Sequence, residues 1–199
     1  MHKPRLLVIA GCNGSGKSSF SQYLVPSNSI VPFDYDFRFL SRYRSLLTID
    51  IKEQMAHNLA STDLISEIEV AWKNGKDFAF ETNFDNEPMF WPDKFKAKGY
   101  ELFLLFLCLD SIELANKRVA IRVENGGHFV PKFEVERRYF AGFENLNKYY
   151  SQFDFIDIFE GSAYGVIPEH IASVENGKAV FSTTEYSYLK NLIPHLISN

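Results

Sequence analysis

The sequence predicts one α/β domain: a parallel sheet of about five strands with helices on both faces, a lid-like helical insertion over about 112–150, and a C-terminal hairpin plus helix. Three observations carry that expectation. Apolar runs of strand length alternate with longer segments of helical period, as in βαβ units. A length of 199 residues suits a single domain, read here as spanning 1–199. Hydrophobic residues at 46% and charged residues at 23% are ordinary for a chain with a core, and they exclude disorder and fibrous repeats.

The first strand is read at Arg5 to Ala10, an uninterrupted apolar run. The second is read at Ile30 to Asp36, short or imperfectly paired because Pro32 has no N–H to give a ladder. Phe78 to Glu81, Leu102 to Leu109 and Phe155 to Phe159 supply the third, fourth and fifth. Helices are expected at Lys17 to Leu24, Ile51 to Asn74, Pro92 to Lys98, Ser111 to Val123 and Lys132 to Tyr150, with Asn74-Gly75 ending the second of them in the left-handed conformation. In the last of these, Tyr139, Phe140, Phe143, Leu146, Tyr149 and Tyr150 recur at spacings of three and four, which reads as a core-facing stripe. Glu175-Asn176-Gly177-Lys178 between two short apolar runs is a hairpin signal, and a final helix is expected over Thr184 to Ile197.

Composition narrows the function. Lys plus Arg total 21 against 25 Asp plus Glu, a net charge of -4, which argues against a long nucleic-acid partner. The longest apolar run, Leu102 to Leu109, falls far short of the roughly 20 residues of a membrane helix. The N-terminus reads without a secretory signal and Cys12 and Cys108 imply no disulfide framework, so a cytoplasmic protein with no membrane partner is expected.

Gly11-Cys12-Asn13-Gly14-Ser15-Gly16-Lys17-Ser18 fits G-x-x-x-x-G-K-[ST] between an expected strand and an expected helix. Glycines let successive amides turn toward phosphate, the helix N-terminus adds partial positive charge, Lys17 reaches the β- and γ-phosphates, and the Ser18 hydroxyl binds Mg²⁺. ATP and Mg²⁺ are therefore the expected ligands, with Gly11, Asn13, Gly14, Ser15, Gly16, Lys17, Ser18 and Ser19 at the nucleotide. A dinucleotide fingerprint fails because Ser19 stands where its last glycine belongs. No G-x-S-x-G, no H-E-x-x-H and no zinc-spaced Cys/His cluster occurs.

The acceptor is read from the residues after the neighbouring strands. Asp34 and Asp36, two apart on the expected second strand, leave one face at its end, where Asp36 serves as the base for an acceptor hydroxyl. Glu81-Thr82-Asn83 ends the third strand with groups suited to an acceptor or to water on Mg²⁺. Asp110-Ser111 reads as a helix N-cap. Arg118 and Arg122, one helical turn apart, are placed to meet transferring phosphates. Gly126-Gly127-His128 and the pair Arg137-Arg138 suit a hinged segment closing over substrate. Solvated strand ends and surface arginines are the competing readings of these residues.

The order of these pieces resembles the zeta-toxin-like kinases, particularly their short stand-alone members: the phosphate loop, Asp34-Tyr35-Asp36, Phe78-Ala79-Phe80-Glu81-Thr82, Arg118 through Gly126-Gly127-His128, and Arg137-Arg138-Tyr139. The likeness runs from Leu6 to about Ser162. It implies a P-loop kinase fold and, for the founding toxins, ATP-dependent phosphorylation of the 3'-hydroxyl of UDP-N-acetylglucosamine; an antitoxin protein is a candidate partner. By that resemblance Lys17 and Ser18 are the ATP and Mg²⁺ residues, Asp36 the general base, Glu81 an acceptor-binding acid and Arg122 a phosphate-contacting arginine. Asn83 stands where the founding toxins have threonine, and the place of their second lid arginine falls near His128. Asp36, Glu81, Asn83 and His128 are thus the expected acceptor residues. Glu160-Gly161-Ser162 stands where many relatives carry Asp-Asn-Ser. The expected activity is γ-phosphoryl transfer to a hydroxyl of a nucleotide-sugar, with catalysis by Lys17, Asp36, Arg122 and Arg118. A nucleoside or polynucleotide 5'-hydroxyl kinase, and a nucleotide-dependent protein-binding module with an exposed aromatic helix, remain as alternatives.

Overall fold

The run Arg-Leu-Leu-Val-Ile-Ala has no polar residue after its first, and it forms β1 (Arg5–Ala10) with every residue after Arg5 buried. A strand apolar on both faces belongs inside a sheet. β1 is paired in parallel with β2 (Phe78–Thr82) on one side and β3 (Glu101–Cys108) on the other. β4 (Phe155–Glu160) is parallel to β3, and the antiparallel β5 (Glu169–Glu175) and β6 (Lys178–Phe181) extend the sheet to the order β2-β1-β3-β4-β5-β6. The computed structural model describes residues 3–25, 30–127, 129–175, 177–181 and 186–197.

The helices are α1 (Lys17–Leu24), α2 (Tyr35–Ser45), α3 (Lys52–Asn74), α4 (Phe90–Ala97), α5 (Ile112–Glu124), α6 (Lys132–Tyr149), α7 (Ser187–Leu192) and α8 (Pro194–Ile197). One sheet face packs Leu7, Ile9, Leu105 and Leu107 against Val25 at the end of α1. The other carries the larger core, where Leu6, Val8, Leu104 and Phe106 meet Phe95, Val119, Phe143 and Leu146. Tyr139, Phe143 and Leu146 of α6 are buried, as their spacing predicts, whereas Phe140 of the expected core-facing stripe is exposed and Tyr149 and Tyr150 are half-buried. Ser111 caps α5, its hydroxyl accepting from the Leu114 amide at 3.4 Å, and Gly75 caps α3 at φ 57°. Among the described residues no helix is long and apolar enough to cross a membrane.

The expected second strand does not form. Phe33 makes a single bridge to Phe80, its amide donating to the Ala79 carbonyl at 2.9 Å and its carbonyl accepting from Glu81 at 2.9 Å. Pairing then stops, because Asp34 takes the Phe37 amide at 2.9 Å and caps α2, a helix the periodicity did not announce. Asp34 and Asp36 therefore sit on a cap and a first helical turn, not on one face of a strand. α2 leans on the N-terminal half of α3 through a small core of Phe39, Ala56 and Ala60, and Arg42 grips Asp63 at 2.6 and 2.8 Å. The sheet has six strands because the C-terminal hairpin joins its edge. The hairpin's Asn176 and the start of the last expected helix at Thr184 lie outside the described residues. That helix is divided at Ile193, because Pro194 cannot donate to a preceding carbonyl.

Candidate active site

The loop between β1 and α1 is shaped by close approach. Gly14 has φ 84°, and a Cβ there would stand 2.9 Å from the Ala115 carbonyl oxygen and 3.2 Å from Arg118 Cβ. Gly11, at φ 145°, would place a Cβ 2.5 Å from the Leu107 carbonyl oxygen. Only glycine fits either position, and the backbone that results presents its amides to the cleft at the start of α1. Ser15 Oγ is buried in this loop without a hydrogen-bond partner. The loop opens on a cleft of about 790 Å³ lined by Asn13, Gly14, Gly16, Lys17, Ser18 and Ser19.

Lys17 Nζ donates to the carbonyls of Gly11 at 2.5 Å and Cys12 at 3.1 Å and to Asn83 Oδ1 at 3.3 Å. Burial lowers its affinity for its proton, while Glu81 and Asp36 act the other way. Ser18 Oγ lies 2.8 Å from both Asp34 Oδ2 and Glu81 Oε2. One hydroxyl between two carboxylates at the mouth of the loop is an oxygen set suited to Mg²⁺, a hard cation that keeps several waters and phosphate oxygens in its octahedral shell. Among the described residues no cluster of three or more His, Cys, Asp or Glu offers a closed metal cage. The glycine cradle, Lys17 and this oxygen set together fit a magnesium-bound nucleoside triphosphate.

Burial pushes the Glu81 carboxyl above its ordinary range, Asp34 adds to the effect, and hydrogen bonds from Ser18 and Ser21 oppose it. Between the ordinary value and the raised one the folded chain holds a proton that the unfolded chain has lost, so stability falls as pH rises through that window. Cation binding requires the ionised carboxylate and strengthens over the same window. Glu81→Gln is expected to raise the melting temperature of the ligand-free protein at pH 7 and to weaken Mg²⁺-dependent nucleotide binding by about tenfold or more. A lower melting temperature at pH 7 would show that the ionised carboxylate stabilises the fold.

The remaining site residues come from several elements. Asp36 is exposed in the first turn of α2 and lines the cleft with Tyr35. Asn83 is brought to Lys17 by a sharp reversal after β2, where Phe84 is fully buried at φ 58° and Asn145 Nδ2 holds the Phe84 and Asp85 carbonyls at 2.9 and 2.7 Å. Burial and those two bonds over-determine a backbone conformation that phenylalanine rarely adopts. Arg122 lines the cleft, and Gly127 folds so tightly onto it that a Cβ would fall 2.5 Å from Arg122 Cγ. Arg118 lines it too, with its guanidinium donating to the carbonyls of Gly14 at 3.2 Å, Ser162 at 2.9 Å and Ala163 at 3.2 Å. Those bonds tie two loops together, a role its helical spacing from Arg122 does not suggest. His128 lies outside the described residues.

His57 and Trp91 line the cleft with no expectation from the sequence, whereas Arg138 is expected there as part of the pair Arg137-Arg138. Arg138 Nη1 donates to Asn13 Oδ1 at 3.1 Å, joining α6 to the phosphate loop. Its position three residues after the buried Val135 places it on the flank of the core stripe, a signal the sequence does contain. His57 and Trp91 line the same cleft as Tyr35 and Asp36. They reach it through the tertiary path of α3 and α4, which no local pattern encodes.

The zeta toxin family model matches residues 1–164. Among solved structures, the chain is similar to one in the AvrRxo1-ORF1:-ORF2 complex, at 16% identity and a TM-score of 0.70, over 98% of this chain and 64% of that one. It is also similar to a chain of the PezAT chromosomal toxin-antitoxin system of Streptococcus pneumoniae, at 17% identity and a TM-score of 0.60, over 97% and 79%. A chain of the Pnkp1/Rnl/Hen1 RNA repair complex aligns at 23% identity and a TM-score of 0.56, over 74% of this chain and 47% of that one. At these identities the likeness is one of fold, and the chain spans about half the length of the RNA-repair chain. No curated protein matches it. With the family model covering most of the sequence, the chain belongs to the zeta toxin family.

Proposed function

We propose that the protein transfers the γ-phosphoryl group of ATP, bound with Mg²⁺, to a hydroxyl of a nucleotide-sugar such as UDP-N-acetylglucosamine. The observation that carries the reading is the convergence of Lys17, of Ser18 between Asp34 and Glu81, and of Asp36 on one cleft. Mg²⁺ supplies charge neutralisation at the phosphates, and Ser18, Asp34 and Glu81 are the groups to hold it. Lys17 and Arg122 stabilise the negative charge spread over the transferring group. Asp36 accepts the acceptor's proton as its oxygen bonds to the γ-phosphorus and the bond to the bridging β–γ oxygen breaks, leaving ADP. Tyr35, His57 and Trp91 put aromatic rings in the lining of the same cleft, a composition suited to a base or a sugar's apolar face. The family resemblance supplies the acceptor class, and the likeness to a chain of the PezAT toxin-antitoxin system supports an inhibitory protein as a further partner.

The test is transfer from γ-labelled ATP with Mg²⁺ to UDP-sugars, nucleosides and 5'-hydroxyl oligonucleotides in parallel. Label on a UDP-sugar, absent when Mg²⁺ is chelated, is the expected result. Label on the oligonucleotides alone would replace the acceptor class, and no ATP binding at all would remove the kinase reading.

A further inference from the structure

Glu160 ends β4 as a buried carboxylate, only 9% exposed, and its two oxygens are used differently. One accepts the Ser162 amide at 2.6 Å, bending the chain back on itself. The other accepts the hydroxyl of Tyr188, which lies on α7, beyond residue 164 where the family match ends. The bent segment is pressed onto the phosphate loop: a Cβ on Gly161 would stand 3.1 Å from the Ser15 carbonyl oxygen. Ser162 Oγ accepts the Asp110 amide at 2.8 Å, and Arg118 bridges the Ser162 and Ala163 carbonyls to that of Gly14. Ala163, Tyr164 and Gly165 then form one wall of the cleft.

That wall is tied to the phosphate loop through Arg118, which bonds both Gly14 and Ala163. Lys17 and Asp36 mark where the γ-phosphate meets the hydroxyl, so the rest of the nucleotide extends past Gly14 and Arg118 toward 163–165. Resting on the kinase reading above, we propose that Tyr188 is a positioning residue for the nucleotide. Through Glu160 it fixes the 162–165 loop against which the ribose and base are held. The C-terminal segment thereby contributes to nucleotide affinity without touching the nucleotide. Burial raises the Tyr188 hydroxyl well above the usual phenol range, with the Glu160 hydrogen bond adding to it, so the group stays a donor at every working pH.

Tyr188→Phe removes the donor and keeps the ring. The expected result is a KM for ATP, and a Kd for a fluorescent ATP analogue, raised about tenfold, with kcat at saturating ATP and the acceptor KM within about twofold of wild type. Glu160→Gln should raise the same two constants, and adding Tyr188→Phe to it should raise them little further, because both changes break one link. A lower melting temperature with unchanged ATP constants in both single variants would show a purely structural contact and overturn the proposal. Wild-type protein that binds no ATP would overturn the kinase reading itself, so the two failures are distinguishable.

Discussion

Lys17→Ala is expected to reduce phosphoryl transfer by about 10³-fold or more. The ammonium is held at the phosphate loop by two loop carbonyls and Asn83. A phosphate oxygen arriving there meets a donor already oriented, so little reorganisation remains at the moment of transfer. The same placement costs the resting protein something, since burial disfavours the charged lysine. Lys17→Ala is therefore expected to leave the melting temperature equal or higher while turnover disappears. Steady-state transfer and thermal unfolding on the same preparation check both halves. Turnover within about tenfold of wild type would show that the arginines carry the phosphate charge alone.

The phosphate loop was legible because its chemistry and its local structure have one cause. A strand must deliver the chain, glycines must reverse it and a helix must receive it, and β1 and α1 fall on the expected residues. β3 and α6 were equally plain, one from an unbroken apolar run and the other from a stripe at helical spacing. α2 was hidden because Val31, Phe33 and Tyr35 alternate as a strand would, and the deciding group is a cap, Asp34, whose side chain competes with the ladder only once Phe33 has docked on β2. The contacts that finish the site span long stretches of chain. Arg138 meets Asn13 across 125 residues, Arg118 meets Gly14 across 104, and Tyr188 meets Glu160 across 28. Residue type could nominate those groups; only the packing of α5, α6 and α7 on the sheet could pair them.

The position of Asp36 on a helix changes what its substitution should do. In the first turn of α2 the carboxylate sits at the positive end of the helix dipole, on an element anchored to α3 by Arg42 and Asp63 and by the Tyr35 hydroxyl at 3.1 Å from Ser61. It is thus held at the acceptor side by contacts that do not involve the phosphate loop. Asp36→Asn keeps the shape and the cap at Asp34, so nucleotide affinity should stay within about twofold, while kcat falls by roughly 10²–10⁴-fold as the proton acceptor is lost. Asp34→Asn provides the contrast. Asp34 shares the Ser18 hydroxyl with Glu81, so its loss should appear as a raised Mg²⁺ requirement that excess Mg²⁺ restores in part. If Mg²⁺ rescues the Asp36 variant instead, or if its kcat equals that of wild type, the base is another group, and Asp85, which also lines the cleft, is the next acid to replace.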